Sequence, residues 1–167
     1  MKNGASAICV ASQAACFAML GVLPEQKAVL ENPLAEDFFE RLKETDPDGK
    51  VMIPETAYGL SKLGVRYIVE QNATAWGENN ARINTISPGI IETPMTIKEA
   101  EQQPGMQIVK EQTPLKRWGQ PVEIANVARF LLSAEASFIT GVDVLVDGGS
   151  TNRVVKAITE GQVNLRK

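Results

Sequence analysis

Ala57-Tyr58-Gly59-Leu60-Ser61-Lys62 sets a phenol and an ammonium four residues apart. That spacing is one helical turn, so a helix here puts both groups on a single face. The pair suits proton transfer at a carbinol oxygen. A free tyrosine titrates near about 10, and bringing it to about 7 takes roughly 4 kcal/mol of preferential phenolate stabilisation. A fixed cation nearby supplies it.

What flanks this run decides the fold. The helix is expected from Thr56 to Trp76, with Leu60, Gly64, Val65, Ile68 and Val69 as its apolar face and Gly77 at its C-terminal cap. Upstream, Ala5 to Ala11 is a short apolar run ending at Ser12, a pattern that suits a strand buried on both faces of a parallel sheet. Downstream, Ala81 to Ser87 is strand-like and stops at Pro88-Gly89. Pro121 opens a second helix, to about Ser133, with Ile124, Val127, Ala128 and Leu131 on one face. Gly141 to Val146 reads as a last strand closed by Gly148-Gly149. Strand, helix, strand, helix, strand is the βαβαβ order of an α/β protein with a parallel sheet.

Between the first strand and the Tyr58 helix, Asn32-Pro33 looks like an N-cap followed by proline at the first helical position. Leu34, Phe38 and Leu42 follow at i, i+4 and i+8, with Asp37 and Arg41 paired, and Asp46-Pro47-Asp48-Gly49 closes the helix. Ile90 to Arg117 is polar and proline-punctuated, with one short helix expected at about Thr96 to Gln103. The tail after Ser150 carries no reading, and no internal repeat is visible.

Composition narrows the function. At 167 residues the chain reads as one domain, and 17 basic against 20 acidic residues leave a net charge of −3. That balance gives no support to a nucleic-acid partner. No histidine occurs, which removes Ser-His-Asp and Cys-His nucleophiles and argues against a zinc site. Cys9 and Cys16 lack metal-ligand spacing and read as buried, reduced thiols of a cytoplasmic protein. The apolar stretch Ala5 to Val22, broken by Ser6, Ser12, Gln13 and Gly21, reads as a strand and its loop rather than a signal peptide. No run approaches membrane-spanning length.

Taken in order, Ser12, Tyr58-x-x-x-Lys62, Ser87-Pro88-Gly89-Ile90-Ile91-Glu92-Thr93-Pro94 and the Val146-Asp147-Gly148-Gly149 ending resemble the C-terminal half of the short-chain dehydrogenase/reductase family, over about residues 4 to 150. The resemblance implies the C-terminal portion of a Rossmann-type doubly wound sheet. It implies Tyr58 as general acid/base, Lys62 lowering the tyrosine pKa and bonding the nicotinamide ribose, and Ser12 holding the substrate oxygen. Pro88, Gly89, Ile90 and Thr93 would lie beside the nicotinamide of NAD or NADP, with the Ile90 backbone and Thr93 hydroxyl on the carboxamide. A small carbonyl or alcohol is the implied substrate.

Two departures from the family pattern stand out. The 45 residues between Ser12 and Tyr58 exceed the usual spacing. The excess, residues 17–53, is similar to the long helical insertion of some bacterial hydroxysteroid dehydrogenase/carbonyl reductases. Phe38 and Phe39 could line an apolar pocket there, although helical-spaced aromatics are more often core. Moreover, none of the 13 glycines forms the family's Gly-x-x-x-Gly-x-Gly turn. Cofactor phosphates depend on that turn and the helix it opens. The expectation is one partial domain over residues 1–167, inactive alone. It would carry a raw apolar edge at the first strand, and a homo-oligomer or association with a missing N-terminal half would cover it. The rival expectation is a non-catalytic assembly module.

Overall fold

The computed structural model describes residues 3–102 and 105–160. Among these, three strands, β1 (Ser6–Val10), β2 (Arg82–Pro88) and β3 (Asp143–Val146), lie parallel in the spatial order β1-β2-β3. Eight helices accompany them. In chain order they are α1 (Ala14–Met19), α2 (Pro24–Leu30), α3 (Phe38–Glu44), α4 (Pro54–Gly77), α5 (Pro94–Gln102), α6 (Gly105–Gln112), α7 (Pro121–Leu132) and α8 (Ser150–Thr159). This is the Rossmann-like α/β fold that the βαβαβ order predicts.

Alternation along the strands sorts the two faces of the sheet. Ile86 is fully buried with Leu131 of α7, and Ile8, Val144 and Val146 pack into the same cluster. On the other face, Ser87 and Asp143 turn towards α4. Helices on both faces are what a parallel sheet requires. β2, flanked on both sides, buries five consecutive residues, whereas β1 and β3 are only half-buried. The expectation that β1 is buried on both faces is therefore corrected. It lies at the sheet edge, and Val10 is 55% exposed.

A second apolar cluster joins Ala15 of α1, Val29 and Leu30 of α2, Leu42 of α3 and Leu60, Leu63 and Tyr67 of α4. Gly59 lets α1 come this close: a Cβ there would sit 3.3 Å from the Ala18 Cβ and 3.4 Å from the Ala14 carbonyl oxygen.

Several sequence expectations shift. The helix expected from Pro33 begins only at Phe38. Asn32 to Asp37 form turns, Leu34 is 93% exposed, and Asp37 becomes a cap residue rather than an ion partner of Arg41. The proline that opens a helix is instead Pro24, because the Leu23 N–H finds an acceptor in the Gln26 side chain at 3.0 Å. Gly77 is the last residue of α4, and Asn80 supplies the left-handed turn (φ 49°). The single helix expected near Thr96 is two, α5 and α6, and its expected end, Gln103, lies outside the described residues. After Gly148 and Gly149, which take positive φ of 63° and 87°, α8 forms where no reading was made.

Leu63 is fully buried on the inner face of α4. Leu63→Ala should lower unfolding stability by about 2–5 kcal/mol, read from urea denaturation.

Candidate functional site

Beyond β1 the chain stays tied to β2. The Ala11 N–H donates to the Ile86 carbonyl at 2.8 Å and the Gln13 N–H to the Pro88 carbonyl at 2.9 Å. Ser12 is held between these anchors, and its Oγ accepts the Ala14 N–H at 3.2 Å at the start of α1. Accepting there leaves the hydroxyl proton for another partner.

Tyr58 and Lys62 sit one turn apart on α4. Pro54 opens that helix, where a missing N–H costs nothing. The Lys62 Nζ lies 5.7 Å from the centre of the Tyr58 ring and donates to the Val10 carbonyl at 3.3 Å. Val10 is two residues before Ser12, so all three predicted residues gather around the carboxyl end of β1. Ser61 donates to the Tyr58 carbonyl at 2.8 Å, a bond internal to the helix.

The chain leaving β2 is fixed by contacts on both sides. The Gly89 N–H donates to the Val146 carbonyl at 2.9 Å, and a Cβ at Gly89 would lie 2.7 Å from the Asp147 backbone, so no side chain fits. Ile90 accepts the Gly119 N–H at 2.9 Å, and the Glu92 N–H returns to the Gly119 carbonyl at 2.8 Å. Arg117 forks onto Glu123 at 2.7 and 2.6 Å, and Glu123 also accepts the Gln120 N–H at 2.7 Å. Thr93 caps α5: its Oγ1 accepts the Thr96 N–H at 3.2 Å. Pro88, Gly89 and Ile90 thus lie where open α/β sheets bind ligands. Thr93 stands further along, with no hydrogen bond to Ser12, Tyr58 or Lys62.

Beside the half-exposed Tyr58 opens a cavity of about 1000 Å³, bounded by α1, the turn into α2 and the stretch from Thr45 to Thr56. Phe17, Ala18, Val22 and Leu60 form apolar wall. Phe38 and Phe39 do not line it. Phe38 packs on the α1–α4 cluster and Phe39 is 65% exposed, the two rings meeting edge-on at 5.2 Å.

A buried polar network escaped the sequence reading. Arg66, one turn beyond Lys62, puts its Nε 3.5 Å from Asp143 Oδ2, the side chains only 12% and 9% exposed. Ser87 Oγ donates to Asp143 Oδ1 at 2.7 Å, and an Arg66 terminal nitrogen lies 3.5 Å from Cys16 Sγ. Burial pushes the Cys16 thiol up despite that cation. Both cysteines are free and half-buried rather than fully buried. Among the described residues no cluster suited to a metal ion occurs, and no helix is long and apolar enough to cross a membrane. Burial alone would push the Asp147 carboxyl up. The Thr151 and Gly149 N–H groups and the Ser150 hydroxyl outweigh that and hold it down.

A parallel Rossmann-type sheet, with a Tyr-x-x-x-Lys pair at the carboxyl end of a strand, defines the class. A family model described as Enoyl-(Acyl carrier protein) reductase matches residues 48–151, well over half of the chain. The chain belongs to the short-chain dehydrogenase/reductase family, a family of oxidoreductases. It is 47% identical over 98 residues to the short-chain dehydrogenase/reductase bsc3 of Alternaria brassicicola, covering 57% of this chain and 35% of that protein. With the 3-alpha-hydroxysteroid dehydrogenase/carbonyl reductase of Comamonas testosteroni it shares 41% over 95 residues, 56% of this chain and 37% of that one. The structure of the 3-alpha-hydroxysteroid dehydrogenase from Pseudomonas sp. B-0831 complexed with NADH superposes with a TM-score of 0.66 at 28% identity. That match covers 95% of this chain and 58% of the other. The chain therefore spans little more than a third of these curated relatives' length.

Among the described residues, removing the cation at Arg66 leaves the buried Asp143 side chain with Ser87 alone as partner. Arg66→Ala should cost about 3–5 kcal/mol in urea unfolding, and Arg66→Lys should recover part of it. The Arg117 fork and the Gln120 N–H hold Glu123 at about 2, against an ordinary value of 4.5. A depressed carboxylate stabilises the fold fully above its unfolded pKa and loses that contribution as pH falls towards the folded one. The melting-temperature gap between the native chain and Glu123→Gln should thus hold steady above about pH 5 and close between about pH 4.5 and 2.

Proposed function

We propose that this chain carries the proton-transfer half of an NAD(P)-dependent oxidoreductase acting on a carbonyl compound or secondary alcohol. The observation that carries the reading is a half-exposed Tyr58 phenol beside a cavity of about 1000 Å³, with the Lys62 ammonium 5.7 Å from its ring. Tyr58 Oη exchanges a proton with the substrate oxygen. Lys62 sets a cation one helical turn away on the same face. Ser12, with its hydroxyl proton uncommitted to the Ala14 amide, holds the substrate oxygen against the phenol.

The residues present fit the nicotinamide end of such a cofactor. The stretch from Pro88 to Ile90 leaves a strand end, Gly89 has no room for a side chain, and Lys62 has donors beyond the one given to Val10. Thr93 follows three residues after Ile90, its hydroxyl proton open to the carboxamide or to Thr96. A nicotinamide bound there would give or take the hydride, which no side chain can do. The pyrophosphate end finds no glycine-rich turn in these residues. Residues 17–53 act as an insertion that walls the cavity, a reading supported by the lining contributed from Gly21 to Val51. The relative complexed with NADH supports NAD as one candidate cofactor.

A second reading, an assembly module, draws on β1. Its outer edge has no strand partner among the described residues. Association through that edge, with another copy or with a glycine-rich half, would complete the sheet.

Fluorescence titration of NADH and NADPH against the chain tests the primary reading. Binding no tighter than millimolar and no turnover are expected of these 167 residues alone. Saturable micromolar binding would overturn the half-site interpretation. In any assembled form that turns over, Tyr58→Phe should lower kcat by about 10²–10⁴-fold with little change in melting temperature. An unchanged kcat would remove Tyr58 from the mechanism.

A further inference from the structure

We infer that the cavity beside Tyr58 selects an uncharged, largely apolar substrate bearing a second oxygen remote from the reacting carbon, and that Gln26 donates to that oxygen. The inference rests on the reading of Tyr58 as the proton-transfer residue. It concerns another part of the same cavity's lining.

Gln26 stands in the first turn of α2, is 8% exposed and lines the cavity. Its Oε1 accepts the Leu23 N–H at 3.0 Å. Only oxygen can meet a backbone N–H, so that bond fixes the carboxamide orientation and turns Nε2 away from Leu23. Among the described residues nothing accepts from Nε2. Gln26 lines the cavity, so Nε2 is open there to water or to a ligand oxygen. Capping α2 needs the oxygen alone; the nitrogen is left over.

The remaining lining sets the substrate's character. Phe17, Ala18, Val22 and Leu60 offer apolar surface, and about 1000 Å³ is the upper end of small-molecule sites. The rim carries Asp46, Asp48 and Glu55 against a single cation, Lys50. The Lys50 Nζ is 2.7 Å from Asp48 Oδ2 and also feels Asp46, whose Oδ2 accepts the Val51 N–H, so the three carboxylates still leave the rim net negative. An anionic substrate would enter against this net negative rim.

Three matched ketones test this by calorimetric titration against the full chain: 2-decanone, 2,9-decanedione and 9-oxodecanoate. Two equivalent ends give the dione a statistical advantage of about twofold. A hydrogen bond from Gln26 should raise that to about fivefold or more, and dione binding should shift the Gln26 side-chain amide resonance. Gln26→Glu keeps the acceptor for Leu23 and removes the donors, so it should return the ratio to about twofold while α2 stays capped. Gln26→Leu would not separate the two roles. The oxo-acid should bind about tenfold more weakly than 2-decanone, and Glu55→Gln should narrow that gap. No saturable binding of any probe, a dione ratio of about twofold in the native chain, or tighter binding of the oxo-acid would each overturn the inference. These ratios need no hydride transfer. If they hold in both the native chain and Tyr58→Phe while no assembled form turns over, the oxidoreductase reading fails and the binding site stands.

Discussion

A guanidinium withdrawn from water must be met by a counter-charge, and Arg66 makes that demand at the junction of four elements. It reaches Asp143 on β3, which Ser87 on β2 completes, and it lies against Cys16 on α1 while projecting from α4. Buried charges tolerate no partial solution. If β3 slipped by one residue, Asp143 would turn to the α7 face among Ile86 and Leu131, and Arg66 would lose its partner. The register of the sheet and the seating of α4 are therefore set together. Lys62 and Tyr58 inherit their position from that seating, being one and two turns away on the same helix.

What could be read in the sequence follows from how local its cause is. β2, α4 and α7 show in the order of residues because periodicity, an opening proline and a closing turn lie within each segment. The Tyr58–Lys62 spacing is equally local. Pro33 misled because proline after asparagine suits a turn as well as a helix start. The choice was made by burial: Leu42 and Phe38 could reach the α1–α4 cluster and Leu34 could not. Pro24 was the better start, its capping glutamine two residues on, but glutamine announces a cap less plainly than serine or aspartate. α8 depends on Asp147 accepting the Gly149 and Thr151 N–H groups, a motif legible only after the turn at Gly148 is known. Arg66 meets Asp143 across nearly half of the chain, and no local pattern encodes such a meeting. A charge standing within Val142-Asp143-Val144 was the available hint.

The site itself is assembled from strand ends. Ala11 and Gln13 stay hydrogen-bonded to Ile86 and Pro88 after β1 has ended, so Ser12 is fixed by backbone rather than by packing. Gly59 and Gly89 allow close approach on either side of it, one to α1 and the other to Asp147. Side chains proposed to act on a ligand are thus carried by rigid elements. The cavity wall comes from turns and short helices, where variation in length changes its shape without disturbing the sheet.

The contact between Lys62 and the Val10 carbonyl has a consequence for assembly. Ala11 turns its N–H inwards to Ile86, so the neighbouring Val10 carbonyl faces outwards, along the open side of β1. A strand arriving on that side would claim the same oxygen. The ammonium would then be released towards the phenol and whatever lies beside it. Occupation of the sheet edge and the whereabouts of the Lys62 charge are thereby coupled, and the coupling is reciprocal. A lysine drawn away from the Val10 carbonyl leaves the strand more open to a neighbour, and a neighbour in place leaves the lysine freer to move.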